Sequence, residues 1–401
     1  MDAAALPRLR LRLRLLSEKE RGNDSWHLIL IAAVRGLAAL QVAAAHLRSE
    51  FFPSLRSLDH PALWYQALLF FTGFAHQAAL VFFLISGYLV GGSLLDKLDQ
   101  PDALKLYAID RITRLWTVLI PAFVLILAFG IVTGTLAARH ADFAPANPYS
   151  VAAFAGNLAG LQTISVPPFG NNAPLWSLSY TSWYYLLFPL LVLCVRPGRA
   201  GKRLLPGALL LLAALWLPSP IVLYFSLWLL GAGFSRVRLE CTALTRVVLL
   251  AALGTLCVTG RLTGSNEGLS TASYPSCLLL SVLFLLFLSS TVIKPNPDAR
   301  LLAPLRAAAH CFSRFSFTLY VVHLPVLGML GWLGVHLFDK RQLAPDSPAN
   351  LGMYCAMLAM MVLFAYGFYR LFEARTCQGR RWLKGMLSST PLPNRRAAVE
   401  R

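Results

Sequence analysis

The stretch Trp26-His-Leu-Ile-Leu-Ile-Ala-Ala-Val-Arg35-Gly-Leu-Ala-Ala-Leu-Gln-Val-Ala-Ala-Ala-His46-Leu47 decides the fold class. A helix crossing a bilayer core of about 30 Å needs about 20 apolar residues, and this run supplies them. Arg35 is its one residue with a fixed charge. An arginine at the centre of a spanning helix costs about 2.5–3.5 kcal/mol on insertion scales, so it must face other helices and find partners. His46 follows eleven residues later, about three turns on, which puts both side chains on one face roughly 16 Å apart along the axis. Gly36, Ala38, Ala39, Ala43 and Ala45 around them are small enough for neighbouring helices to come close. Two readings of His46 stay open: an interfacial ring that snorkels outward, and a ring held inside the bundle on the arginine's face.

Nine further apolar runs follow, at roughly 64–95, 112–137, 174–195, 204–217, 219–235, 247–260, 273–293, 312–337 and 350–373. The second is long enough to tilt or to begin at the interface. The fifth and sixth of the ten meet at Pro218-Ser219-Pro220 as a tight hairpin or one broken segment. Loop charges orient them. Segments assigned to the cytosol carry 27 of the 36 Lys and Arg, and the outer loops carry 6. That asymmetry requires an even span count with both termini cytosolic. The expected architecture is an all-α, polytopic transmembrane bundle of about ten spans. Residues 1–25 form a basic cytosolic tail, 26–373 the membrane-embedded domain and 374–401 a second basic tail. Within the first tail, Arg8-Leu-Arg-Leu-Arg-Leu-Arg14 reads as a solvated positive-inside signal, or as a tail lying on anionic lipid.

Composition agrees. Of 401 residues 57% are hydrophobic and 13% charged, against about 25% charged in ordinary soluble domains. Disorder, a collagen-like fibre and a single soluble core are excluded. The net charge of +18 is explained by orientation in the membrane, so no nucleic-acid partner is expected. The 18 acidic residues fall in tails, loops or helix ends, which argues against a pump built on intramembrane carboxylates. The seven cysteines form no C-x-x-C pair, so neither a disulfide framework nor a metal site is expected.

Other polar groups stand where lipid should exclude them. Arg111 and Arg114, spaced i,i+3, open the third run with two guanidinium forks on one face, at an expected helix N-terminus. They suit phosphate, and equally the anchoring that the positive-inside rule demands. In Phe82-Phe-Leu-Ile-Ser86-Gly87-Tyr88, Ser86 and Gly87 line a ligand path or serve close packing, and packing is favoured because no base is predictable beside Ser86. Trp176-Ser177-Leu-Ser179-Tyr180-Thr181-Ser-Trp-Tyr-Tyr185 combines an aromatic belt with hydroxyls the belt does not explain. His323, in Ser316-Phe-Thr-Leu-Tyr-Val-Val-His-Leu-Pro325, is a second histidine inside a span, structural or functional.

In this order the motifs resemble the acyltransferase 3 family of integral membrane acyltransferases. Arg35, Gly36, Ala38 and His46 match its R-G-x-A…H span, Phe82 to Tyr88 its F-F-x-x-S-G-[FY], and Arg111 and Arg114 its R-x-x-R. Trp176 to Tyr180 with Tyr184, Tyr185 and Pro189 match W-S-L-S-[VY]-E-x-x-[FY]-Y…P. Ser316, Thr318, Leu319, Tyr320, His323 and Pro325 match the last element. The resemblance implies an O-acyltransferase that moves an acyl group, acetyl above all, from cytosolic acyl-CoA to a hydroxyl of a cell-surface glycan or secreted small molecule. It implies a multi-pass protein of the plasma membrane, the inner membrane in a bacterium, with acyl-CoA as co-substrate and no metal. By position it makes His46 the essential histidine and general base, Arg35 its partner, and Arg111 and Arg114, with Ser86 and Gly87, the acyl-CoA contacts. Trp176, Ser177, Ser179, Tyr180, Thr181, Tyr185 and His323 become substrate or oxyanion candidates, Ser179, Tyr180 and Thr181 foremost for the oxyanion. One departure is Thr181, where the family commonly carries Glu. It keeps a catalytically silent relative in view, beside a transporter or flippase of a glycan or amphiphile. Because the arginines sit at the inner face and His46 near the outer end of its span, the acyl arm is expected to enter a deep cavity between helices.

Overall fold

A computed structural model describes residues 11–16, 26–136, 144, 146–196, 201–263, 269–293, 302–339 and 342–387. Each expected apolar run is helical. The helices are α1 (Trp26–Phe51), α2 (Leu63–Phe71), α3 (Ala75–Ser86), α4 (Gly92–Lys97), α5 (Ala103–Val132), α6 (Val151–Leu158) and α7 (Trp176–Val195). They continue as α8 (Gly201–Trp216), α9 (Ser219–Phe234), α10 (Ala243–Thr263), α11 (Tyr274–Ser290), α12 (Leu302–Phe338), α13 (Pro348–Leu371) and α14 (Thr376–Leu387). Seven segments among the described residues are long and apolar enough to cross a membrane, and α8, α9 and α11 are apolar but shorter.

Several boundaries depart from expectation, each for a local reason. The second run is not one helix. It breaks between α2 and α3, and Gly87–Gly91 forms a π-helical turn joining α3 to α4. The third run begins at Ala103, directly after Asp102 in a left-handed conformation (φ 59°), rather than at 112. Arg111 and Arg114 therefore sit in the third and fourth turns of α5, so the helix-terminus contribution expected for them is absent. The Arg-Leu alternation of the N-terminal segment is a strand. Its period of two forms β1 (Leu11–Leu15), antiparallel to β2 (Val237–Cys241), with Arg12 opposite Glu240 and Arg14 opposite Arg238. Arg8 and Arg10 lie outside the described residues. Part of the expected C-terminal tail is α14, whose Arg380 and Lys384 reach Asp110 of α5 at 3.3 and 4.0 Å.

Two clusters of buried side chains make up most of the interior. One joins α1, α5, α12 and α13, and the other joins α3, the π turn, α7, α9 and α11. Small residues set the closest approaches. A Cβ on Gly36 of α1 would lie 2.6 Å from Phe312 Cβ of α12, so glycine there lets the two helices meet. Ala39 and Ala43, one and two turns on, are fully buried. Across the other cluster, a Cβ on Gly87 would lie 2.0 Å from the Trp228 carbonyl oxygen, and one on Gly231 2.3 Å from that of Leu84. This reciprocal glycine contact locks α3 and its π turn against α9.

Candidate active site between two cavities

A cavity of about 270 Å³ opens where the two clusters meet. Arg35, Arg111 and Arg114 line it at the end of the bundle where α1 begins, hereafter the basic end. Ser177 and Tyr320 line it at the other extreme. From α7 it takes Ser177, Leu178, Thr181 and Tyr185, one helical face at i, i+1, i+4 and i+8. A second cavity, of about 330 Å³, lies toward the opposite end, lined by Glu50, Phe129, Thr133, Tyr149, Asn172, Leu324 and Trp332 among others.

Two helices run past both cavities. On α1, Arg35 lines the first and Glu50 the second, with His46 between. On α12, Ser316, Phe317 and Tyr320 line the first and Leu324 onward the second, with His323 between. The two imidazoles face each other at that change-over, ring centroids 5.2 Å apart and planes tilted by 39°. The close α1–α12 packing makes this meeting possible. Tyr320 stands between the first cavity and the pair, its ring 5.9 Å from that of His323. Its hydroxyl donates to the Pro174 carbonyl at 2.6 Å, so the 2.7 Å contact with Ser177 Oγ has the serine as donor.

Proline explains the next contact. Pro325 has no N–H, so the Val321 carbonyl four residues earlier loses its helical donor. Asn172 Nδ2 supplies one at 3.0 Å and ties the loop before α7 to α12 beside His323. The first turns of α7 are pinned in the same way: Ser179 Oγ and Trp183 Nε1 both donate to the carbonyl of Gly160, at 2.8 and 3.1 Å. Gly160 adopts φ +76°, a conformation open to glycine at little cost.

At the basic end, Arg35 lies within Coulombic reach of Arg114, Glu373 and Tyr185. The Arg111 guanidinium stacks over the rings of Tyr107 and Tyr185 at 5.8 and 5.6 Å. Glu373, just past α13, accepts from Thr318 Oγ1 at 2.5 Å. Ser86 Oγ accepts from Trp228 Nε1 at 3.2 Å and lies 3.4 Å from the Tyr185 hydroxyl. Three arginines thus line one end of a cavity whose remaining wall mixes apolar side chains with hydroxyls, and Glu373 lies near Arg35 without lining it, an arrangement suited to a polyanionic ligand.

The acyltransferase 3 family model, described as an acyltransferase domain, matches residues 29–370. The chain belongs to this acyltransferase family. Neither a curated protein nor a solved structure matches it.

In this acyltransferase, Arg35, Ser86, Arg111, Arg114, Ser177, Thr181 and Tyr185 come together around one cavity, and His46 and His323 pair beyond it. Three expected substrate or oxyanion residues point elsewhere, because consecutive helical positions rotate by about 100°. Ser179 is fully buried and committed to Gly160. Tyr180 stacks on Phe83 at 5.7 Å, and Trp176 packs edge-on against Tyr180 at 5.3 Å. Gly87 serves the α9 crossing. Thr181 faces the cavity, but its hydroxyl turns back to the Ser177 carbonyl at 3.0 Å. Sequence reasoning missed Glu373. Its one signal is a carboxylate directly after an apolar run, in Phe368-Tyr-Arg-Leu-Phe-Glu373.

Proposed function

We propose that this membrane acyltransferase is an O-acyltransferase that takes its acyl group from acyl-CoA at the basic, cytosolic end and passes it to a hydroxyl acceptor entering from the opposite side. The observation that carries this reading is the His46–His323 pair at the change-over between two cavities, with arginines lining only one of them. Arg111 and Arg114, with Arg35 behind them, hold the phosphates of the donor. A cavity of about 270 Å³ is at the small end for ligand pockets, so it takes the pantetheine arm rather than the nucleotide. The acceptor, a glycan or a small hydroxylated molecule, occupies the second cavity.

His46 acts as general base. An imidazole titrates near pH 6.5, so at neutral pH its free nitrogen accepts a proton. The acceptor O–H bond breaks as that proton moves to His46 and the oxygen attacks the thioester carbonyl carbon. The tetrahedral intermediate then collapses, the C–S bond breaks, and the departing thiolate takes the proton back from His46. The thioester reaches His46 past Tyr320, whose phenol closes the first cavity. Arg35 belongs to the donor end of this scheme, since about 16 Å of helix separates it from His46.

The test is turnover by the purified, reconstituted chain, followed as free CoA thiol released from acetyl-CoA in the presence of methyl glycosides as hydroxyl acceptors. Replacing Arg111 and Arg114 together by Gln is expected to raise KM for acetyl-CoA about 10-fold or more, with a smaller change in kcat. Removing one charge-assisted hydrogen bond to a phosphate weakens binding by about 1.5–3 kcal/mol. An unchanged KM would remove the arginines from donor binding.

A further inference from the structure

His323 is completely buried, and its two ring nitrogens have opposite surroundings. Nδ1 lies 2.7 Å from the Tyr320 carbonyl oxygen and 3.3 Å from that of Leu319. Carbonyls only accept, so Nδ1 carries the proton and Nε2 presents a lone pair. Among the described residues Nε2 has no hydrogen-bond partner, although it is shielded from solvent. A buried acceptor left unsatisfied costs about 1–3 kcal/mol, and the nearest ring that could satisfy it is His46, 5.2 Å away between centroids. A neutral imidazole has one N–H to offer.

We propose that His323 is a positioning residue whose Nε2 accepts the N–H of His46, fixing the tautomer in which the other His46 nitrogen faces the acceptor hydroxyl. This rests on His46 being the base. Centroids 5.2 Å apart leave room for one N–H···N bond between the rings once the two nitrogens face each other. The helix carbonyls hold the His323 proton on Nδ1, so His323 cannot also donate toward His46 and the direction of the bond is set. When His46 takes the acceptor proton it becomes an imidazolium, and its N–H to His323 becomes a charge-assisted bond, shorter and stronger than the neutral one. The proton goes from His46 to the thiolate sulfur, and His323 gains and loses none. Val321, four residues before Pro325, keeps its carbonyl paired through Asn172, which holds this turn of α12 and hence the ring.

The test uses the full chain in vesicles and separates the two nitrogens. In His323→Asn the short amide can replace the Nδ1 proton toward Tyr320 but leaves nothing at Nε2. In His323→Gln the longer amide brings a carbonyl oxygen to the place of Nε2. With acetyl-CoA and methyl glycosides as probes, His323→Asn is expected to lower kcat about 10–100-fold with KM for acetyl-CoA unchanged, and His323→Gln to stay within about threefold of the parent. Modification of His46 by diethyl pyrocarbonate, read by mass spectrometry, should slow in the Asn variant and not in the Gln variant, a readout that needs no acceptor. Adding His323→Asn to His46→Ala should cost nothing further, since coupled residues are not additive. Asn preserving turnover where Gln loses it would overturn the proposal and leave His323 a structural residue. Wild-type turnover in His46→Ala would overturn the base reading itself, and is distinguishable because the His323 series then has no bearing on rate.

Discussion

Replacing His46 by Ala is expected to lower kcat for acyl transfer about 10²–10⁴-fold, the usual contribution of a general base, while KM for acyl-CoA stays near its parent value. The reason is the separation of the two sites. His46 is absent from the wall of the arginine-lined cavity, so its loss leaves donor binding intact. Removing the ring also leaves the buried Nε2 of His323 without a neighbour to satisfy it. Stability should fall by no more than about 1–3 kcal/mol, and a folded protein remains for assay. Steady-state kinetics on the reconstituted variant, with equilibrium binding of acyl-CoA, measures both quantities. Equal losses in kcat and in donor affinity would mean that His46 contributes to ground-state binding of the donor, and would break the separation of donor binding from proton transfer.

The second large effect is structural. Gly87→Val is expected to prevent correct assembly or to lower the melting temperature sharply. Its Cβ would sit 2.0 Å from the Trp228 carbonyl oxygen, and a backbone carbonyl cannot turn aside as a side chain can. Overpacking a tight site costs about 1–3 kcal/mol when neighbours can shift and more when they cannot. The damage would spread to the site, because Trp228 also donates to Ser86 on the wall of the first cavity. Gly328→Ala is the control. Nothing stands within 4 Å of a Cβ there, and alanine is the better helix former. Thermal unfolding in detergent should separate the two by many degrees. Equal melting points would show that α9 does not press on the π turn as described.

Much of this architecture is legible in the sequence because a bilayer leaves few options. Runs of about 20 apolar residues must become helices, since lipid offers their backbone groups no other partners. The first strand is harder to read. Arg-Leu alternation carries the period of a strand, but in a basic tail it is equally the pattern of a charge signal, and its partner Val237–Cys241 is far away in the chain. At the site, the shared face of Arg35 and His46 is correct as helical geometry, yet a face about 16 Å long touches two places. Arg35 joins Arg111, Arg114 and Glu373 at one end, whereas His46 meets His323 near the other. No spacing rule links two residues so far apart in the chain. Their meeting depends on Gly36 admitting Phe312, a tertiary fact. In the same way the hydroxyl-rich stretch from Trp176 to Tyr185 reads as one patch in sequence, and helical rotation divides it into a cavity wall and a packing face.

In the proposed scheme donor and acceptor meet at the histidine pair from opposite ends, so acyl transfer in sided vesicles holding the chain in one known orientation must itself be sided. Acetyl-CoA is supplied on one side only and a membrane-impermeant methyl glycoside on the other. Acetylated glycoside should appear only when acetyl-CoA is on the side of Arg111 and Arg114, and not in the His46→Ala protein. Product formed equally well with both reagents on the arginine side, or from acetyl-CoA supplied at the opposite end, would contradict it.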